Sequence, residues 1–216
     1  MVAGIAHNIG LEIAVNFSIQ EEALILSRKI IPVVSMLGVF KTNAQQTQNR
    51  FKQKGDIIFL IGNNAETLSF EFQQMLKTHN ETLEAKTKPV SELKTIQIVS
   101  ALIAAKMVKT AHSISGNGLF AALIESCAKT RLGFDITTDS DMKPEIFLFG
   151  NSTGSFIVTV SPAENDVFVD FMLENKYQFT TLGHVTKDEL RIDDISIGFI
   201  NDIRKIYLKS LAVVFS

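Results

Sequence analysis

Residues 110–118 read TAHSISGNG, a short extended run that enters a glycine-bearing turn and is followed by LFAALIESCA at helical spacing. A strand that turns through small residues into a helix leaves unpaired backbone N–H groups at the positive end of the helix dipole, an arrangement that binds phosphate. Ser113, Ser115, Gly116, Asn117 and Gly118 are the candidates for that work, with His112 beside them. His112, between Ala111 and Ser113 at a strand end, reads equally as a ring hydrogen-bonded for structure alone. A G-x-G pattern by itself has little specificity; the strand before it and the helix after it supply the meaning.

Other chemistry-bearing residues do not assemble into a pattern. His7, His79 and His184 share no metal spacing, and Cys127 stands alone one helical turn from Leu123 and Ile124, which reads as a buried structural thiol. Asp193 and Asp194 follow a strand and read as turn formers, not as a catalytic pair.

The elements that must position these residues alternate between strand and helix. Leu11, Ile13 and Val15 alternate with Glu12, Ala14 and Asn16, the period of a half-buried strand; VVSMLGVF after Pro32 and IIFLIG after Gly55-Asp56 are near-continuous apolar runs suited to more buried strands. Helices are expected around 68–78 and after Pro89, the second capped by Ser91 and carrying Leu93, Ile96, Val99, Ile103 and Met107 as an apolar stripe. LGFDIT, FIVTV, QFTTLGHV and ELRI read as short strands, AENDVFVDFMLEN and INDIRKIYLKSLA as helices. The expected fold is α/β of the α+β type, a mixed sheet covered by helices. A polar, Gln-rich stretch from Lys41 to Lys54 marks a boundary near Gln53, dividing the chain into 1–53 and 54–216.

Composition narrows the function class. The chain has 216 residues, net charge -2 and 46% hydrophobic residues. It carries no Lys/Arg cluster, which argues against a nucleic-acid or polybasic membrane surface. The first residues lack a basic n-region, and no run approaches the roughly 20 apolar residues of a membrane span. One cysteine and no disulfide framework fit a cytoplasmic setting.

Several segments, taken in order, resemble the second half of phosphoribosylformylglycinamidine synthase, of the aminoimidazole ribonucleotide synthase superfamily. Pro32 with VVSMLGVF is similar to the family's P-T-P-x-x-G-M-x-G-V, and FKQKGDIIFLIG at 51–62 to F-K-x-x-G-D-x-I-x-L-I-G. KMVKTAHSISGNGLFAALIESCA resembles L-V-x-S-A-H-D-V-S-D-G-G-L-x-x-A-L-A-E; FLFGNSTGSFIVTV resembles F-x-F-G-E-x-Q-x-R-x-V-V-x-V; LGHVTKDELRIDD resembles the closing hairpin.

The resemblance implies an aminoimidazole-ribonucleotide-synthase-like C-terminal domain at 54–216, preceded at 1–53 by the remnant of an ATP-binding-like domain. It implies a fragment or diverged form of an ATP-dependent carbon–nitrogen ligase of de novo purine biosynthesis. There the amide oxygen of formylglycinamide ribonucleotide is phosphorylated by ATP, and glutamine-derived ammonia then displaces phosphate. ATP and Mg²⁺ are the family's cofactors. The implied partners are the remainder of the synthase, in the same chain or another subunit, and a glutaminase domain. No residue of this chain is assigned as a catalytic acid or base.

Resemblance also adds Asn16 and Ser18, in VNFS where the family has G-N-V-S, and Glu71, in SFEF where it has G-G-S-E-Y. Asn16 and Ser18 also read as turn residues, and Glu71 as a solvated helix carboxylate. The family's two acids in the glycine loop are here Ser113 and Gly116, so the carboxylates a hard cation needs are gone. Asn151, Thr153 and Ser155 replace the Glu, Gln and Arg of G-E-x-Q-x-R. Apolar skeleton positions are kept where polar ligand positions are not, which leaves a second reading open: a non-catalytic scaffold of a synthase assembly. A third, a general phosphate-ligand module, needs only the glycine turn.

Overall fold

The computed structural model describes residues 47–62, Leu68, Phe72 and 89–206, apart from Gly116, Lys129 and Thr153, and only the backbone at 89–92. The chain separates into compact units Met1–Gln46 and Thr47–Ser216. The strands expected at 10–17 and 32–40 lie outside the described residues, as does most of the helix expected at 68–78. Of that helix Phe72 is helical, whereas Leu68 forms an isolated antiparallel bridge with Gly150.

Seven strands form one mixed sheet. They are β1 (Ile57–Ile61), β2 (Thr110–Ser113), β3 (Leu132–Ile136), β4 (Phe156–Val160), β5 (Phe179–Lys187), β6 (Glu189–Ile192) and β7 (Ile195–Phe199). The order is β2-β4-β1-β5-β3-β6-β7, antiparallel except for the parallel pair β3–β6. The helices are α1 (Pro89–Ala104), α2 (Gly118–Cys127), α3 (Pro144–Phe149) and α4 (Asn165–Glu174), with a 3₁₀ turn at Pro162–Glu164 before α4.

The apolar runs are explained by burial on both faces of the sheet. Strand alternation sends Ile58 and Leu60 to one side, where they pack with Leu119, Leu123 and Phe147 of α2 and α3; Phe59 and Ile61 go to the other, with Val99, Leu102, Phe168 and Met172 of α1 and α4. A strand sandwiched in this way has no polar face and loses its period-2 signature. Phe51 joins the first cluster and its N–H donates to Ser126 O at 3.1 Å, so the residues just before β1 pack on α2.

Two details of α1 differ from expectation. The helix starts at Pro89, so Ser91 lies inside its first turn and is not the cap. Proline suits this place because its missing N–H would have no helical partner. The buried stripe is Thr95, Val99 and Leu102, while Ile96 is exposed. Thr95 enters the core because its hydroxyl meets the Tyr177 hydroxyl at 2.5 Å, which satisfies a polar group that burial would otherwise penalise.

Short elements escaped the periodicity reading. Six-residue α3 is too brief for a helical period, and β7 is too short and too mixed to stand out between ELRI and the closing helix, which begins at Ile200 as its spacing predicts. The β6–β7 hairpin turns through Asp193 and Asp194, both left-handed (φ 50° and 65°), the geometry of a two-residue primed turn. Asp193 accepts from Thr138 N at 2.7 Å and from Thr138 Oγ1 at 2.8 Å, which ties the turn to the end of β3.

Candidate functional site

The ends of β1 and β2, the beginning of β4 and the N-terminus of α2 meet at one end of the sheet. The register makes this necessary: Phe156 opens β4 opposite both Ser113 and Ile61. Ile114 N donates to Ser155 O at 2.8 Å, fastening the residue after β2 to the loop before β4. Ile114 is buried, and strand alternation therefore turns Ser113 and Ser115 outward; Asn117 is also exposed. Three small polar residues between β2 and α2 are thus exposed.

Asn117 occupies the N-cap position with φ -80° and ψ -1°, and its side chain makes no capping bond. Gly118 N donates to Ser115 O at 3.1 Å, closing the turn. The first turn of α2 carries no acidic residue, so nothing there neutralises its dipole. Gly118 has φ 85°, and a Cβ at this position would lie 2.8 Å from Leu148 O and 2.9 Å from Phe149 Cα. Its smallness lets α2 start directly against the end of α3, a packing requirement separate from any ligand.

His112 is buried, and both its ring nitrogens face protein atoms. Nδ1 lies 2.9 Å from Ser126 Oγ and Nε2 3.1 Å from Glu125 Oε2. The Ser126 hydroxyl spends its single proton on Ala122 O at 2.8 Å, so Nδ1 must be the donor to Ser126 Oγ. A carboxylate only accepts, and the Nε2 contact is attractive when that nitrogen also carries a proton. The ring thereby staples β2 to α2. Ser126 and Glu125 were not singled out from sequence; the only local signal is a polar pair interrupting the apolar spacing of LFAALIESCA.

Of the replacements before β4, Ser155 is internal, Asn151 is half-buried and Thr153 lies outside the described residues. Ser155 is buried at the end of β1, where a Cβ on Gly62 (φ 117°) would lie 2.5 Å from its hydroxyl. Gly150 bridges Leu68, and Phe149 stacks on Phe72 with ring centroids 4.4 Å apart. Cys127 is fully buried, and burial raises its thiol pKa far above the ordinary value. Gly116, Asn16, Ser18 and Glu71 lie outside the described residues.

The donor set does not suit a divalent cation. Among the described residues no group of three or more His, Cys, Asp or Glu side chains is placed to hold a metal, and Ser113 offers a hydroxyl where the ion would need charged oxygen. What the junction can do is accept an anion, through the Ser113 and Ser115 hydroxyls, the Asn117 amide and the free N–H groups of α2.

Comparisons with known proteins agree with this architecture. The family model described as "AIR synthase related protein, C-terminal domain" matches residues 53–195. The phosphoribosylformylglycinamidine synthase subunit PurL of Leuconostoc mesenteroides is 28% identical over 187 residues, which is 84% of this chain and 24% of that protein. PurL of Petrotoga mobilis is 27% identical over 188 residues, 84% of this chain and 25% of that protein. The chain thus spans about a quarter of the length of the curated relatives it matches.

Among solved structures, Thermotoga maritima PurL complexed with FGAR superposes with a TM-score of 0.59 at 16% identity, over 75% of this chain and 30% of that one. The PurLQS structure from Thermotoga maritima gives 0.56 at 17% identity, over 69% and 25%. At these identities the superpositions speak for the fold. With its sheet, helical layers and residues 53–195 all matching, the chain belongs to the AIR synthase related protein family, as a PurL-like C-terminal domain.

Proposed function

We propose that this chain is a part, or a diverged form, of phosphoribosylformylglycinamidine synthase, and that its β2–α2 junction faces the phosphate of a nucleotide or ribonucleotide. The observation that carries the reading is that Ser113, Ser115 and Asn117 are exposed in the segment leading to an α2 N-terminus with no acidic residue in its first turn. Gly118 lets α2 begin close to these residues, Gly116 belongs to the same proposal, and His112 holds the strand to the helix beside it. Asn16, Ser18 and Glu71 belong to the same proposal as further ligand contacts.

The full reaction consumes formylglycinamide ribonucleotide, ATP and ammonia. The PurL relatives and the PurL structures complexed with FGAR and with ATP support this choice of ligands. Because the chain spans a quarter of those relatives, the remaining synthase and a glutaminase supply the other contacts, including the carboxylates for Mg²⁺ that this junction lacks. We assign residues 1–53 to the end of the preceding domain, 54–216 to the C-terminal domain, and a cytoplasmic location to both.

Titration calorimetry with formylglycinamide ribonucleotide and with ATP, on the chain alone and mixed with an N-terminal PurL portion, tests the reading. Binding that Ser115→Asp and Asn117→Asp abolish is the expected result, since each puts an anion where the ligand's phosphate would lie. Absence of binding in both preparations overturns it and leaves the scaffold reading.

A further inference from the structure

The stretch leading into β1 is fastened to the two elements that build the anion junction. Gln48 O accepts from Ala111 N at 3.0 Å and Gln48 bridges Thr110 in parallel, so the chain lies along the outer edge of β2, the terminal strand of the sheet among the described residues. Further on, Phe51 N donates to Ser126 O at 3.1 Å, and the Phe51 side chain is buried in one cluster with Leu119 and Leu123 of α2. Both ties use groups that regular structure leaves over: an edge strand turns backbone N–H groups away from its sheet, and the last carbonyls of a helix have no helical partner. Lys109 Nζ adds a third tie, 3.1 Å from Gln53 Oε1 and 2.6 Å from Asp56 Oδ1.

These ties meet the His112 staple and close a ring. Ser126 accepts twice, through its hydroxyl from His112 Nδ1 and through its carbonyl from Phe51 N; Ala111, which donates to Gln48, is the chain neighbour of His112. From Gln48 to Phe51, Ser126, His112, Ala111 and back to Gln48, every link is a hydrogen bond or the chain itself. We propose that residues 48–51 are a strap that positions α2 against β2, with Phe51 as a positioning residue for the anion site; the inference rests on the anion-site reading above. Phe51 acts from a distance. Its partner Ser126 lies about 12 Å along α2 from Gly118 at the helical rise per residue, beyond the reach of a phosphate at the helix N-terminus. A packed helix moves as a rigid element, so releasing the Ser126 end displaces the Gly118 end. Linkage then requires a ligand at the junction to favour the seated strap by the same factor as the seated strap favours the ligand.

Amide hydrogen exchange on the whole chain tests the proposal, with and without formylglycinamide ribonucleotide or ATP, whichever calorimetry shows to bind. At a ligand concentration about 100 times the dissociation constant, exchange of Phe51 N–H and Ala111 N–H is expected to slow at least roughly tenfold, toward the roughly 100-fold limit reached when the released strap binds no ligand. Glu164 N–H, donated to Ser161 O in the exposed turn before α4, is expected to keep its rate. Phe51→Ala is expected to weaken the ligand about tenfold and Phe51→Leu to restore most of that loss. Where Phe51→Ala does not fold, exchange in the unaltered chain decides. Ligand binding that leaves Phe51 no better protected than Glu164, or that a folded Phe51→Ala does not weaken, overturns the strap and leaves the anion-site reading standing. Absence of binding in every preparation overturns both.

Discussion

His112 Nδ1 and Ser126 Oγ stand 2.9 Å apart in the interior, one on β2 and the other a full turn and more into α2. Ser126→Ala removes the acceptor and leaves a buried ring N–H unsatisfied. Urea unfolding is expected to show a loss of about 1–3 kcal/mol, the cost of an orphaned buried donor. Glu125→Gln acts on an exposed carboxylate and is expected to cost less than about 1 kcal/mol.

Asp56 is almost completely buried at the start of β1, with Lys109 Nζ 2.6 Å from its Oδ1. Removing the cation strands a carboxylate that has no route to water. Lys109→Met is therefore expected to destabilise the fold by roughly 3 kcal/mol, the lower end for broken buried pairs because Lys109 itself is a quarter exposed. Lys109→Met combined with Asp56→Leu is expected to recover most of that loss in the same denaturation assay.

Gly118 combines a left-handed backbone with contact to α3. Gly118→Ala is expected to lower stability by about 1–3 kcal/mol, since a Cβ meets Leu148 O and the conformation is strained for any L side chain. Because the shift occurs at the first residue of α2, phosphate-ligand affinity is expected to fall as well, measured by the calorimetry above.

Cys127 gives a pH dependence with a definite sign. Burial raises its folded pKa above the ordinary 9.0, so the folded state resists losing this proton while the unfolded chain loses it readily. The stability that follows is complete below pH 9 and declines as pH rises beyond it. Relative to Cys127→Ala, the wild-type chain is expected to lose stability above that pH in thermal melts, and its thiol is expected to be inert to alkylation until the protein unfolds.

The turn at Asp193 allows a clean coupling measurement. Asp193→Ala removes both bonds to Thr138 and an αL-tolerant residue, at an expected cost of about 1–2 kcal/mol. Thr138→Val is expected to cost less, and the double mutant less than the sum of the two, since the removed interaction is shared.

Sequence by itself determined the sheet and most of its helical cover. IIFLI is apolar without interruption and FIVTV is broken only by Thr159, whose hydroxyl meets that of Thr110, because both faces of these strands are covered. The turn at Asp193–Asp194 was equally legible, since acidic residues accept left-handed backbone locally. Tertiary structure decided what depends on residues distant in the chain: that Thr95 and not Ile96 is buried, because Tyr177 arrives with a hydroxyl; that β7 is a strand, because β6 pairs with it; and that the His112 ring turns inward to Ser126 and Glu125 while Ser113 and Ser115 turn outward. Periodicity records which face an element buries. Which polar atoms meet there is settled only when separate elements pack, since a hydrogen bond requires its partner within about 3 Å and no local pattern encodes that distance.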